Sequence, residues 1–344
     1  MRRAYVYLAL VLIGWSVGPV GSKALLRGGD VRHGGPHPLQ VAFWAIAAGW
    51  VLLFALLAAR GRLARLHDFS GRGWVVLGAM GLFGWAGYAW SLNFALSRLP
   101  LPGAVVINYL HPVFTVLFQG AMFGSVVRAV SRWEQTPDAV GRRQPGRLAL
   151  GMLLCLAGVA IVASRGRPGD LGSLRSAAGA GAALFAAVAW GVYSNLGRFV
   201  AVKPGREAAG LADVQTFAAM TFGLLLLGLA LAATGMLRSP AGYHAALFLG
   251  RLGPVTVSAW AVLAAMGLLL YCGGFTLWLA ALELGRAAGE AHRLPPLTYL
   301  TPILTVTNGW LLLHEPFGPG FWAGAALIAL GNLVTQLRTA SPAP

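Results

Sequence analysis

Ten stretches of the chain are apolar enough, and long enough, to cross a hydrocarbon core, which takes about 17 to 25 residues of helix. In the first half they run over residues 5–25, 38–59, 73–96, 101–123 and 148–164. In the second they run over residues 177–199, 214–236, 257–282, 295–313 and 319–337. The loops between them are short, apart from the polar, Arg-rich segment 124–147, which reads as a cytoplasmic linker. The pattern predicts an all-α polytopic membrane protein with ten transmembrane helices.

Two of the apolar runs are interrupted in the same way. Residues 108–116 read Asn-Tyr-Leu-His-Pro-Val-Phe-Thr-Val, and residues 298–306 read Thr-Tyr-Leu-Thr-Pro-Ile-Leu-Thr-Val, with five of nine positions identical. Other helices recur in the same order. Trp15-Ser16-Val17 followed by Lys23 matches Trp190-Gly191-Val192 followed by Arg198, and Gly151 and Gly158 match Gly324 and Gly331. Helices one, four and five therefore return as six, nine and ten. The predicted repeats are residues 5–164 and 177–338. Five helices is an odd number, so the second copy is expected to cross the membrane in the opposite sense, the plan of secondary transporters with a site near the midplane.

Within the fourth helix, Asn108, His111, Thr115 and Gln119 fall at spacings of three and four and form one polar stripe. Thr298, Thr301, Thr305 and Asn308 do the same in the ninth. Either stripe alone is as consistent with hydrogen bonds between packed helices as with a cavity. Two stripes at matched positions favour the cavity. Pro112 and Pro302 lack the N–H that would meet the carbonyls of Asn108 and Thr298, so a kink is expected at each.

Aromatic residues add a second layer. Trp85 and Tyr88, Trp190 and Tyr193, and Tyr271 and Trp278 pair at spacings of three or seven. Trp74 and Trp322, near span ends, suit an interfacial belt. Tyr88, Trp190, Tyr193 and Trp278 lie too deep for that and suggest a ring-walled pocket. Gly-rich stretches such as 78–87 read as close helix packing through small residues.

Composition agrees with the membrane reading: 57% of residues are hydrophobic and 10% charged, against about 25% charged in soluble domains. The net charge of +16 does not indicate nucleic-acid binding, because the basic residues are scattered through short loops and form no stripe. Sixteen Lys and Arg fall on one side of the membrane against eight on the other, which predicts both termini in the cytoplasm. Cys155 and Cys272 lie in apolar spans without metal-ligand or disulfide spacing, and no cofactor or metal is implied. No carboxylate stands mid-span, which favours facilitated or exchange transport over strong proton coupling. Glu315 is expected to cap the following helix. Hydrolase, metalloprotease and phosphate-loop motifs are absent from the sequence, so an enzyme is not expected.

At these residues the chain resembles the drug/metabolite transporter superfamily, and its EamA-type exporters in particular, over residues 5–337. Asn108-Tyr109-Leu110 followed by Pro112 is similar to the Asn-Tyr-Leu-Trp-Pro element of the aromatic amino-acid exporters, with His111 in place of the Trp. The pair Trp190 and Tyr193 with Arg198 is similar to the sixth helix of that subgroup. The resemblance implies a central cavity lined by helices one, three, four, six, eight and nine, and export of amino acids or related metabolites from a bacterial inner membrane. Candidate substrate contacts are Trp15, Tyr88, Asn108, His111, Trp190, Tyr193, Trp278, Thr298 and Tyr299. The expected partners are the lipid bilayer and a small molecule, and a monomer is compatible with the sequence. A sugar, drug or nucleotide-linked metabolite carrier, and a non-transporting receptor or scaffold, are the alternatives.

Overall fold

The computed structural model describes residues 2–27, 36–111, 114–115, 118, 145–163, 177–206, 210–237, 244–248, 254–287, 294–315 and 320–336. Helix α1 spans Arg2–Arg27 and α2 spans Pro38–Ala59. Helix α3 runs over Gly71–Arg98, and α4 over Leu101–Asn108. Helix α5 is Pro145–Ala163, α6 is Ala177–Leu196 and α7 is Ala212–Ala233. After a short hairpin, α8 covers residues 259–287, α9 is Thr301–Leu313 and α10 is Phe321–Gln336.

Six helical segments among the described residues are long and apolar enough to cross a membrane: α1, α2, α3, α6, α7 and the first 20 residues of α8. Large apolar side chains such as Val75, Leu153, Leu229 and Trp322 point outward and exposed, as lipid-facing positions do. Trp74 does not merely sit at an interface; its ring packs against Phe69 and Phe222, at 5.8 and 6.1 Å.

Local sequence accounts for several element ends. His37 caps α2 through a reciprocal box: its Nδ1 accepts from the N–H of Leu39 at 3.2 Å, and Gln40 Oε1 accepts from the N–H of His37 at 2.8 Å. Pro38 then begins the helix, where a missing N–H costs nothing. Ser70 caps α3 by accepting from the N–H of Gly73 at 3.2 Å.

Four expectations change. The chain is not purely α: β1 (His244–Phe248) and β2 (Pro254–Ser258) form an antiparallel hairpin with His244 opposite Ser258. The β-branched run Val255-Thr256-Val257 favours a strand, and Pro254 is tolerated as its first residue. The eighth helix consequently begins at Ala259, after the hairpin. The fourth helix, expected over residues 101–123 with a kink at Pro112, breaks earlier: the helix that starts at Leu101 gives way to a turn at Tyr109 and Leu110, and His111, Phe114, Thr115 and Phe118 are helical again. Glu315, expected to cap the helix that follows, is held by Arg27 of α1 instead, and residues 316–319 lie outside the described residues.

The packing repeats itself. Midway along, α3 winds as a π-helix over Gly81–Gly87, and α8 does so over Gly267–Gly274. Each π segment receives a glycine from a helix of the other half. A Cβ on Gly49 of α2 would lie 2.5 Å from the Cβ of Tyr271, and one on Gly223 of α7 would lie 2.3 Å from the Cβ of Trp85. The helices therefore touch backbone to ring base, with no room for a methyl group. Helices α5 and α10 pack antiparallel by the same rule: a Cβ on Gly158 would lie 2.5 Å from the carbonyl of Gly324, and one on Gly331 would lie 2.6 Å from that of Gly151. Exchanging the halves reproduces each contact.

Candidate functional site

The two polar motifs meet the middle of the bundle where helical geometry changes. In the first half α4 breaks after Asn108, and helix resumes at His111. The N–H of Leu110 bonds the carbonyl of Ile107 at 3.1 Å, a tightened turn ahead of Pro112. In the second half residues Pro295–Leu300 wind as a 3₁₀-helix that becomes α9 at Thr301. Pro302 falls in the first turn of α9, so it starts a helix where a kink was expected. The carbonyl of Thr298 is not left free, because the N–H of Thr301 takes it. Pro112, Gln119 and the side chains of Arg198 and Tyr299 lie outside the described residues.

Part of each stripe is structural. Thr115 donates its hydroxyl to the carbonyl of His111, and Thr305 to that of Thr301, both at 2.9 Å. Asn308 donates to Ser16 Oγ of α1 at 2.8 Å. Asn195 of α6 donates to the carbonyl of Thr115 at 3.0 Å. These groups tie α9 to α1 and α6 to the motif after α4. Asn108 and His111 behave differently. Asn108 is 4% exposed and donates to the phenol oxygen of Tyr88 at 3.3 Å. Its own Oδ1 is buried without a partner among the described residues.

Trp190 gathers the expected aromatic residues. Its ring centroid lies 4.8 Å from Tyr88, 5.3 Å from Tyr193, 5.8 Å from His111 and 6.4 Å from Trp15. Trp15 extends the cluster to Trp278 at 5.7 Å and to Phe275 at 5.8 Å. Beneath them Trp85 touches Phe275 and Tyr271, at 5.0 and 5.8 Å. Trp15, Tyr88, His111, Trp190, Tyr193 and Trp278 remain only half-buried, whereas Trp85, Tyr271 and Phe275 are buried. The first six keep accessible surface despite contacting other helices. The last three form the floor.

Of the residues expected from sequence, Trp15, Tyr88, Asn108, His111, Trp190, Tyr193 and Trp278 come together here. Thr298 is half-buried at the 3₁₀ turn. Phe275 was not anticipated. Its only sequence signal is its place directly after the second Gly-rich segment.

The halves differ within the cluster. Tyr88 lies on Trp190, but the equivalent place beside Trp15 is Gly274, where an added Cβ would meet the indole nitrogen at 2.6 Å. Trp15 Nε1 is buried there without a partner among the described residues. Aromatic and polar groups are thus concentrated around Trp190.

Ion pairs join the halves at both ends of the bundle. At one end Arg62 contacts Asp213 at 2.8 Å, and buried Asp68 receives Arg65 at 2.5 Å and Arg206 at 3.3 Å. A backbone bridge pairs Phe69 with Val202 beside them. At the other end Arg27 of α1 holds Glu315 beyond α9.

Apolar outer faces, duplicated packing and a centre of clustered rings are those of a multi-pass membrane protein. The chain belongs to the EamA-like transporter family, whose pattern matches residues 2–131 and 177–336. A solved structure, described as the crystal structure of a protein, superimposes with a TM-score of 0.62 at 23% identity, covering 97% of this chain and 96% of its own. That likeness concerns the fold. No curated protein matches the chain by sequence.

Proposed function

We propose that the chain exports amino acids or related small amphipathic metabolites from the cytoplasm by alternating access. The transporting unit is a pair of inverted five-helix repeats, residues 5–164 and 177–338. It resides in a bacterial inner membrane with ten spans and both termini in the cytoplasm. The observation that carries this reading is the cluster around Trp190, where half-buried rings adjoin two polar atoms without a partner among the described residues, Asn108 Oδ1 and Trp15 Nε1. Rings suit an apolar or aromatic body. The acceptor on Asn108 suits a donor such as an ammonium group, and the indole N–H of Trp15 suits an acceptor such as a carboxylate.

Exchange of the open side requires the end contacts to break in turn. Arg62–Asp213 and Arg206–Asp68 at one end and Arg27–Glu315 at the other join the first half to the second, so each end can open while the other holds. The four arginines in these pairs are 30–64% exposed, which keeps such ties weak enough to reverse.

Liposomes containing the purified protein are the test. Saturable flux of L-phenylalanine or L-tryptophan, weakened in Asn108→Ala and His111→Ala, is the expected result. Flux no faster than in empty liposomes across a broad amino-acid panel overturns the substrate assignment.

A further inference from the structure

Where α1 and α3 end, a cavity of about 420 Å³ opens between Lys23, Arg27, Arg98, His314 and Glu315, with Ser97 in its wall. Lys23 donates to the carbonyls of Leu96 and Leu99 at 2.6 and 2.7 Å. That uses two of the three donors of an ammonium group. Arg27 donates to the carbonyl of Leu313 at 3.0 Å and to Oε1 of Glu315. The guanidinium of Arg98 lies over the Phe94 ring at 5.2 Å, which leaves its hydrogen-bond donors unused by that contact.

Glu315 is the unusual member. It is 6% exposed, and its Oε2 is buried with no partner among the described residues. A buried carboxylate oxygen without a donor is costly to keep. The backbone also departs from ease here. His314 is the one non-glycine residue with positive φ among the described residues, at 52°, in the position that ends a helix and ordinarily takes glycine. Its N–H bonds Trp310 at 3.1 Å and that of Glu315 bonds Gly309 at 3.3 Å. This turn directs Glu315 back toward α1. Backbone in this region clusters at ligand-binding sites, and here it lies beside an unmet carboxylate oxygen.

We propose that this cavity is a second substrate site, which takes the ammonium–carboxylate end of a zwitterionic α-amino acid at the mouth of the pathway. The substrate carboxylate meets Lys23 and Arg98, and its ammonium group supplies the donor that Glu315 Oε2 lacks. Among the described residues three basic side chains face one carboxylate, so an anionic group is drawn in first and Glu315 then selects for the ammonium beside it. The assignment rests on the reading of the chain as an amino-acid exporter. It adds that the charged end is met first at the mouth, before the substrate reaches Asn108, Trp15 and the rings around Trp190.

Labelling at the cavity wall tests this without relying on flux. Ser97 is exposed and donates to its own helix, to the carbonyl of Phe94 at 2.7 Å, and the native Cys155 and Cys272 are buried. In full-length Ser97→Cys protein in phosphatidylcholine liposomes, a sulfonate-bearing methanethiosulfonate reagent should react about tenfold faster than its trimethylammonium counterpart. Glycine and L-phenylalanine should slow that reaction, whereas acetate and phenethylamine should slow it much less. Adding Glu315→Gln should abolish protection by glycine; adding Lys23→Met should lower both protection and the preference for the anionic reagent.

Equal protection by acetate and glycine overturns the role given to Glu315. Slowed labelling in phosphatidylethanolamine liposomes without added amino acid assigns the cavity to a lipid headgroup and overturns the solute assignment. Flux without protection overturns this site and leaves the exporter reading standing. Protection without flux does the reverse.

Discussion

Trp15 and Trp190 hold equivalent places in the two halves and meet edge to face, with ring centroids 6.4 Å apart and planes at 81°. Their surroundings are unequal. Trp190 carries Tyr88 and His111, whereas Trp15 lies against the bare backbone of Gly274. Ring contacts contribute about 0.5–1.5 kcal/mol each beyond area burial. Trp190→Leu should therefore weaken L-tryptophan binding by roughly tenfold, about 1.4 kcal/mol, and Trp15→Leu by less. Equilibrium binding of radiolabelled L-tryptophan to the purified variants measures this; equal losses would mean that the asymmetry has no bearing on affinity.

His111 stands where the second half has Thr301. His111→Thr makes the motifs alike at that position and removes a ring 5.8 Å from Trp190. The variant should fold normally and shift flux preference from aromatic toward smaller amino acids by about threefold to tenfold, the scale of one ring contact. Competition of flux by a panel of amino acids reads the shift. An unchanged ranking would place substrate choice elsewhere.

Gly49 and Gly223 fill equivalent contacts, so their replacement should cost alike. Gly49→Ala and Gly223→Ala each force a Cβ to within 2.5 Å or less of a ring base. Overpacking of this kind costs about 1–3 kcal/mol, and both variants should lower the melting temperature. Gly78, with nothing within 4 Å of its built Cβ, is the control; Gly78→Ala should leave it unchanged or raise it. Thermal unfolding in detergent decides.

The bridge between Phe69 and Val202 lies at the end held by Asp68 and Asp213. Paired antiparallel residues stand about 4.5–5.5 Å apart at Cα, within disulfide reach. Phe69→Cys with Val202→Cys should support flux when reduced and lose it when oxidised, with recovery on reduction. Full flux with the bond formed would show that this end does not open.

Burial pushes the His37 imidazole below its ordinary range, and its Nδ1 must be unprotonated to cap α2. A group so shifted contributes stability that is present above its unfolded value, about 6.5, and is lost as pH falls through its folded value. Melting temperature should drop between about pH 7 and pH 5, and His37→Asn, which caps without titrating, should flatten that part of the profile.

Much of this protein is written locally. The apolar runs locate α1, α2, α3, α6 and α7, because lipid demands long uninterrupted apolar helices whatever packs against them. The paired motifs at 108–116 and 298–306 identify the break points, and aromatic spacing singles out most of the ring cluster. Cross-helix consequences were not legible in that way. Thr115, Thr305 and Asn308 look like cavity residues by period, yet each finds a partner in its own helix or in α1. Glu315 reads as a cap, but the αL turn at His314 sends it to Arg27.

The sequence by itself determined the membrane class, the duplication and the chemistry available at the centre, since these follow from hydropathy, spacing and residue type. Only the tertiary structure decided which groups are spent on packing and which remain for a ligand. It set the π segments in α3 and α8, the glycine contacts that seat α2 and α7 on them, and the unequal settings of Trp15 and Trp190. The physical reason is that a hydrogen bond or a ring contact depends on where the second partner lies, and that partner is usually in the other half of the chain.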